Sequence, residues 1–277
     1  MATTETLGID RLGIADLPAA LALSAEAGWN QTDGDWRLFL DHGRVFVCRD
    51  ADGRPQATAA TLPYGRFAWI SMVLVTAAQR QRGLGTLLLK HCIAELQHAG
   101  LVPVLDATPA GERVYLPLGF RPVSGITRWQ GQGGGTSIAT AMELTEAGLD
   151  PAIALDATVF SASRDFLLRS FRSRAPQLAL RLKEHSFVVA RPGRLATQIG
   201  PLVANDESAA LALLQAALAR IDGPVFMDVP DHWLNLRAEL ERRGFTIQRG
   251  FRRMALGSDQ PFGDPARSFV VAGPEFG

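Results

Sequence analysis

The chain has 277 residues, enough for two modest domains, and its 28 Lys and Arg balance its 28 Asp and Glu. That neutrality removes any global pull toward nucleic acid or acidic membrane surfaces, and no uninterrupted apolar stretch is long enough to span a bilayer. Residues 1–20 lack a basic start followed by an apolar segment, so no secretory signal is visible and a cytoplasmic protein is expected.

In chain order, the first element predicted is a helix over 16–27, launched by Asp16 as cap and stopped at Gly28. The polar, aromatic stretch Gly28-Trp29-Asn30-Gln31-Thr32-Asp33 leads into a second helix around 36–40. Val45-Phe46-Val47-Cys48 and the run 56–62 flank Asp52-Gly53, a hairpin signal. Trp69-Ile70-Ser71-Met72-Val73-Leu74-Val75 reads as a buried strand. After it, Leu84, Leu87, Leu88, Cys92 and Leu96 recur at helical spacing. Arg80-Gln81-Arg82-Gly83-Leu84-Gly85-Thr86 is therefore a glycine-bearing turn between strand and helix. The first N–H groups of such a helix lack intrahelical partners and carry the positive end of its dipole, which suits a phosphate. Gly83 and Gly85 permit close backbone approach, and Arg80 and Arg82 add charge. The turn lacks the Gly-Lys-Ser/Thr of a Walker loop and the three glycines of a dinucleotide fingerprint. Cys48 and Cys92 stand in apolar surroundings and read as buried thiols. The five histidines show no paired metal spacing, so no metal is expected.

Arg80-x-x-Gly83-x-Gly85, preceded by Val75 to Arg80, resembles the pyrophosphate signature of the GNAT (GCN5-related) N-acetyltransferases. Tyr115-Leu116-Pro117-Leu118-Gly119-Phe120 resembles that family's Tyr-x-x-x-Gly-Phe element, and Val102-Pro103-Val104-Leu105-Asp106 its fifth strand. The resemblance covers about residues 7–130. Ala77 and Gln81 depart from it, standing where a proline and a glycine are common; neither change removes a backbone donor.

Gly131-Gln132-Gly133-Gly134-Gly135 reads as a flexible linker, followed by a helix-rich segment including 156–171. Beyond it the chain repeats itself. The strand His185 to Arg191 echoes that near Val45, and Gly200-Pro201-Leu202-Val203-Ala204 echoes the strand ending at Val75. A helix over 208–220 follows. Val225 to Pro230 echoes Val104 to Pro109, and Gly244-Phe245 repeats Gly119-Phe120. The second copy carries Asn205-Asp206-Glu207-Ser208-Ala209-Ala210 where the first has its phosphate turn. Two carboxylates there oppose an anion, both glycines are gone, and Leu240 stands in place of the tyrosine. Arg253-Met254 and Ala272-Gly273-Pro274 also look like the C-terminal domain of bacterial tandem GNAT proteins.

The expectation is a mixed α/β, α+β-like fold of two tandem GNAT-like domains, each with a central, largely antiparallel sheet flanked by helices. Residues 1–130 form the acetyl-CoA-binding domain, 131–148 a connection, and 149–277 a diverged, non-catalytic second domain. The strand pair beside the phosphate turn should splay apart to admit the pantetheine arm of the coenzyme. The resemblance implies that Val73, Leu74 and Val75 hold that arm and the thioester oxygen, that residues Arg80, Gln81, Arg82, Gly83, Leu84, Gly85 and Thr86 hold the pyrophosphate, and that Tyr115 protonates the leaving sulfur. A phenol with pKa about 10 is chemically fit for that donation. Many family members carry a glutamate on the strand before the turn, where this chain offers only Ser71. Asp106 is the candidate base and Asp228 its twin; each could equally serve a local structural role. Trp29, Asn30, Asp33 and Trp36 come from the loop that lines a GNAT acceptor pocket, against ordinary packing or capping. Glu112 reads as a solvated first-turn carboxylate, and Arg164, Arg169, Arg172 and Arg174 as a solvated basic face or an anion site. The function expected is acetyl transfer to the amine of a small or amino-acid-like acceptor, by a monomer or homodimer with no nucleic acid or membrane partner. The alternatives are a non-catalytic acyl-CoA sensor and a protein-lysine acetyltransferase.

Overall fold

The computed structural model describes residues 8–136, 141–182, 185–260 and 262–277, and the chain divides into two compact units, 1–103 and 104–277. In the first unit a short strand β1 (Ile9–Arg11) precedes helices α1 (Leu17–Glu26) and α2 (Asp33–His42), strands β2 (Arg44–Arg49), β3 (Pro55–Tyr64) and β4 (Phe67–Val75), and helix α3 (Leu84–His98). Strands β1 to β4 form consecutive antiparallel pairs. β3 and β4 are buried nearly throughout, so their side chains are apolar or small on both faces. α1 begins one residue later than expected. The Asp16 carboxylate pairs with Arg49 at 2.8 Å instead of capping the helix. Gly28, at φ 69°, ends the helix as expected.

The β3–β4 register slips once. Thr58 faces Leu74 and Ala60 faces Ser71, so Met72 and Val73 oppose the single residue Ala59. Met72 sits at φ 51°, costly for a side-chain-bearing residue, and its carbonyl accepts a 2.9 Å bond from the Thr58 hydroxyl. Strain of this kind is kept where the surrounding structure enforces it.

Strand β5 (Val102–Ala107) leads into the second unit, where α4 (Pro109–Tyr115), β6 (Arg121–Gln132), β7 (Met142–Glu143), α5 (Glu146–Phe160) and α6 (Asp165–Arg174) follow. Then come β8 (Leu180–Arg181), β9 (Phe187–Arg191), β10 (Thr197–Val203), α7 (Glu207–Leu218), β11 (Pro224–Pro230), α8 (Leu234–Arg242), β12 (Thr246–Ala255) and β13 (Ser268–Val270). Within this unit the strand order is β5-β12-β6-β11-β10-β9-β8-β7, with β13 on β10. All pairings there are antiparallel except β10–β11.

Two further sequence expectations are corrected. The helix expected over 156–171 is two helices, broken where Ser161 turns left-handed at φ 66°. Gly131 and Gln132 are not a tether but the end of β6, opposite Val225 and Pro224. Gly133 and Gly134 donate to the carbonyls of Gly223 and Leu218. A side chain at Gly133 would come within 2.2 Å of the Ile221 carbonyl oxygen. These glycines serve close backbone packing, which a sequence reading takes for flexibility.

The predicted repeat is visible in its turns. Gly119 and Gly244 are both left-handed, at φ 95° and 78°. Phe120 N–H donates to the Tyr115 carbonyl, and Phe245 N–H to that of Leu240. Both phenylalanines are buried.

Candidate functional site

The phosphate turn is built in three steps. Ala77–Gln79 forms a single 3-10 turn whose first amide is capped by the Glu26 carboxylate at 2.9 Å. Arg80 then bonds back to the Val75 carbonyl, and Arg82 to the Gln79 side chain. Gln81 and Gly83 both take left-handed conformations, at φ 63° and 83°. Gln81 therefore occupies the conformation that a glycine in its place would adopt freely.

α3 starts at Leu84 with no side chain bonded to its first-turn amides. The Leu87 amide is the first to find an intrahelical carbonyl, that of Gly83, so the amides of Leu84, Gly85 and Thr86 face outward. A Cβ on Gly85 would lie 3.5 Å from Val75 Cγ2 and 3.8 Å from Val73 Cγ1; a longer side chain would fill the cradle in front of those valines. Amides with neither an intrahelical nor a capping partner, two cationic side chains and a clearance kept by glycine fit a pyrophosphate in charge and space. Among the described residues there is no group of three or more metal-ligating side chains and no helix long and apolar enough to cross a membrane.

The other predicted residues of the first unit take differing places. Trp36 is fully buried, its indole N–H donating to Ser24 Oγ at 2.9 Å. Asp33 is exposed and pairs with Arg37 one turn on. Trp29 is half-buried and Asn30 buried. Gln31 and Ser71, both over nine-tenths buried, each hold a side-chain oxygen with no hydrogen-bond partner. Such orphaned atoms are rare in native interiors. Ser71 adjoins the strained Met72 on β4, and Gln31 lies in the loop read as acceptor-facing. Cys48 and Cys92 are buried and unbonded, and burial pushes the Cys92 thiol up to about 12.

In the second unit Tyr115 closes α4, its ring tilted 6.1 Å from that of Phe120. The ring folds back over Gly111, where a Cβ would stand 2.9 Å from Tyr115 Cε2 and 3.2 Å from its hydroxyl. Gly111 was not singled out from the sequence, since a helical glycine carries no signal of what lies on it. Burial pushes the phenol up to about 12, which keeps it a proton donor. The Asp106 side chain is fully buried, and its carboxylate accepts two 2.8 Å bonds from the Arg253 guanidinium. Burial raises its pKa against the pull of Arg253, and the Asp228 charge adds to the rise. Asp228 accepts from Arg128 twice at 2.8 Å and from Gln198 at 2.9 Å. Both carboxylates are thus bound up in buried bidentate pairs. The sequence reading paired neither carboxylate with its arginine, because the partners lie 100 or more positions away.

The basic stretch dissolves into individual pairs. Arg164 is buried against Asp156, while Arg169 and Arg172 meet Asp150 and Glu146. Arg174 donates to the Pro192 carbonyl. At the second turn Asp206 caps α7 itself, its carboxylate accepting from the Ala209 amide at 2.8 Å. The Glu207 carboxylate accepts from Asn235 and the Leu236 amide. A carboxylate therefore already satisfies the end of α7 where an anion would bind.

Comparison with known proteins agrees with both halves. A family model described as the acetyltransferase (GNAT) family matches residues 17–120, and one described as an acetyltransferase (GNAT) domain matches residues 152–269. An uncharacterized N-acetyltransferase, YitH of Bacillus subtilis, is 22% identical over 236 residues, 81% of this chain and 83% of the relative. The crystal structure of a putative acetyltransferase from Pyrococcus horikoshii superposes with a TM-score of 0.83 at 17% identity, covering 100% of this chain and 98% of that one. A tandem GNAT protein from the clavulanic acid biosynthesis pathway superposes with a TM-score of 0.65 at 15% identity, over 90% and 98% of the two chains. These likenesses are of fold.

Proposed function

Because the chain belongs to the GNAT family of acetyltransferases, as two such domains in tandem, we propose that it transfers an acetyl group from acetyl-CoA to the amine of a small acceptor, using one coenzyme site in its N-terminal half. The observation that carries this reading is the bare N-terminus of α3, with its amides uncapped and its Gly83 and Gly85 keeping conformation and clearance. Arg80, Gln81, Arg82, Leu84 and Thr86 complete the pyrophosphate cradle, and the backbone of Val73, Leu74 and Val75 takes the pantetheine arm.

In the reaction the neutral amine attacks the thioester carbonyl carbon, the carbonyl electrons shift to oxygen, and on their return the carbon–sulfur bond breaks. Backbone donors at the β4 bulge answer the charge on oxygen. Tyr115 gives its proton to the sulfur, and the nitrogen loses one to solvent. Asp106 and Asp228 are held by arginines, so neither is assigned as base, and β4 has no carboxylate. The acceptor therefore reacts from its neutral fraction or through water, and the rate rises with pH until the amine is deprotonated. The lack of a ready base keeps one other reading in play, a non-catalytic acyl-CoA-binding domain. Calorimetric titration with acetyl-CoA followed by thiol release against an amine panel tests both. Binding at one site per chain with thiol release supports the enzyme, binding without release across the panel supports the sensor, and no binding defeats both.

A further inference from the structure

β10 repeats β4 down to its irregularity. Ile199 faces Ala190 and Leu202 faces Val188, so Gly200 and Pro201 oppose the single residue Val189, as Met72 and Val73 oppose Ala59. β10 and β11 run parallel and pair only from Thr197–Val225 to Ile199–Met227. Past that point they part, as expected of a strand pair that admits pantetheine beside a phosphate turn. The gap is filled. β13 enters it antiparallel to β10, with Leu202 facing Val270 and Val203 facing Ser268. On the other side the Val271 amide donates to the Asp228 carbonyl on β11 at 3.0 Å.

The segment is held along its length. Val271 passes directly over the bulge, where a Cβ on Gly200 would come within 2.0 Å of the Val271 carbonyl oxygen. Only a glycine lets the two backbones meet there. The Trp233 indole stacks on Phe269 at 3.9 Å and donates to the Ser268 carbonyl. Arg191 donates to the Ala272 carbonyl at 2.6 Å and to the Glu275 carboxylate at 2.7 Å, and Arg164 reaches the Gly277 carbonyl. Phe276 packs edge-on against Phe171. Phe269, Val270, Ala272 and Phe276 are wholly buried.

We propose that the slot between β10 and β11 is a peptide-binding site, and that its resident ligand is this chain's own segment 268–277. The slot takes an extended apolar strand by main-chain pairing, with Gly200 receiving the carbonyl of Val271 and Arg191 and Arg164 gripping the turn that follows. A coenzyme cannot share that space. The proposal rests on the reading that the second domain takes no coenzyme.

The test uses the full chain with a protease recognition sequence inserted between the exposed residues Asp259 and Gln260, ahead of β13. After cleavage the released piece stays with the body on gel filtration and exchanges with a fluorescent synthetic peptide of residues 266–277. Gly200→Ala in the same chain speeds that exchange roughly tenfold or more, as a clash in a packed site demands. In uncut protein, Gly200→Ala likewise raises hydrogen exchange at Val270 and Val271 above that of the native chain. The proposal is overturned if the cut piece leaves at once, if Gly200→Ala changes neither readout, or if acetyl-CoA displaces the piece. A coenzyme stoichiometry other than one, with the piece still seated, would defeat the one-site reading and leave the peptide slot standing.

Discussion

Gly83 and Gly85 stand two positions apart and are required for different reasons. A Cβ on Gly83 would meet nothing within 4 Å, but its φ of 83° is strained for any other residue. Gly85 has ordinary helical backbone, and its need is for room in front of Val73 and Val75. Gly83→Ala should therefore cost about 1–2 kcal/mol through backbone strain, read as a lower unfolding midpoint in urea. Gly85→Ala should bind acetyl-CoA nearly as well as native, and Gly85→Glu not at all. Equal loss from both alanine variants would remove the distinction. Tyr115 carries a second residue-scale expectation. Its raised pKa keeps the phenol protonated, so turnover should show no fall from Tyr115 ionisation until the pH nears about 12. Tyr115→Phe should slow the reaction by roughly a hundred- to a thousandfold, within the range for a proton donor, with coenzyme affinity unchanged. Gly111→Val, which pushes on the ring from one turn earlier, should reproduce the turnover defect while Tyr115 stays intact.

At the scale of elements, strand and helix identities were readable wherever a local pattern sets them. The apolar run into Arg80, the left-handed glycine that ends α1 and the Gly-Phe turns at 119–120 and 244–245 all follow from nearby residues. What failed depends on partners distant in sequence. The Gly131–Gly135 run looked like a tether, yet Gly133 is packed on Ile221, almost ninety positions away. Asp16 looked like a helix cap but pairs with Arg49. Gly133→Ala should thus destabilise the chain by about 1–3 kcal/mol, the cost of overpacking. Gly135→Ala, where a Cβ would meet nothing but φ is 93°, should cost only the backbone term of about 1–2 kcal/mol, with no clash added. Urea midpoints of the two variants compare them directly; a flexible linker would tolerate both equally.

At the scale of the whole molecule, the two halves keep one fold and differ in what their matching turns and strands now hold. In the first, α3 begins with open amides behind two glycines; in the second, α7 begins with Asp206 bonded to its own first turn. The gap beyond the second bulge contains β13. On the proposed one-site reading, three features of the second half oppose coenzyme: carboxylates at the turn, glycines replaced by larger residues, and a slot filled by β13. Restoring the turn alone should not restore binding. A chain carrying Asn205→Arg, Asp206→Gln, Glu207→Arg, Ser208→Gly and Ala210→Gly should still take up one acetyl-CoA by calorimetry. Adding Gly85→Glu to it should bring uptake to zero. A second equivalent bound by the turn variant would mean that 268–277 yields its place to coenzyme, so the difference between the halves would lie in the turn alone.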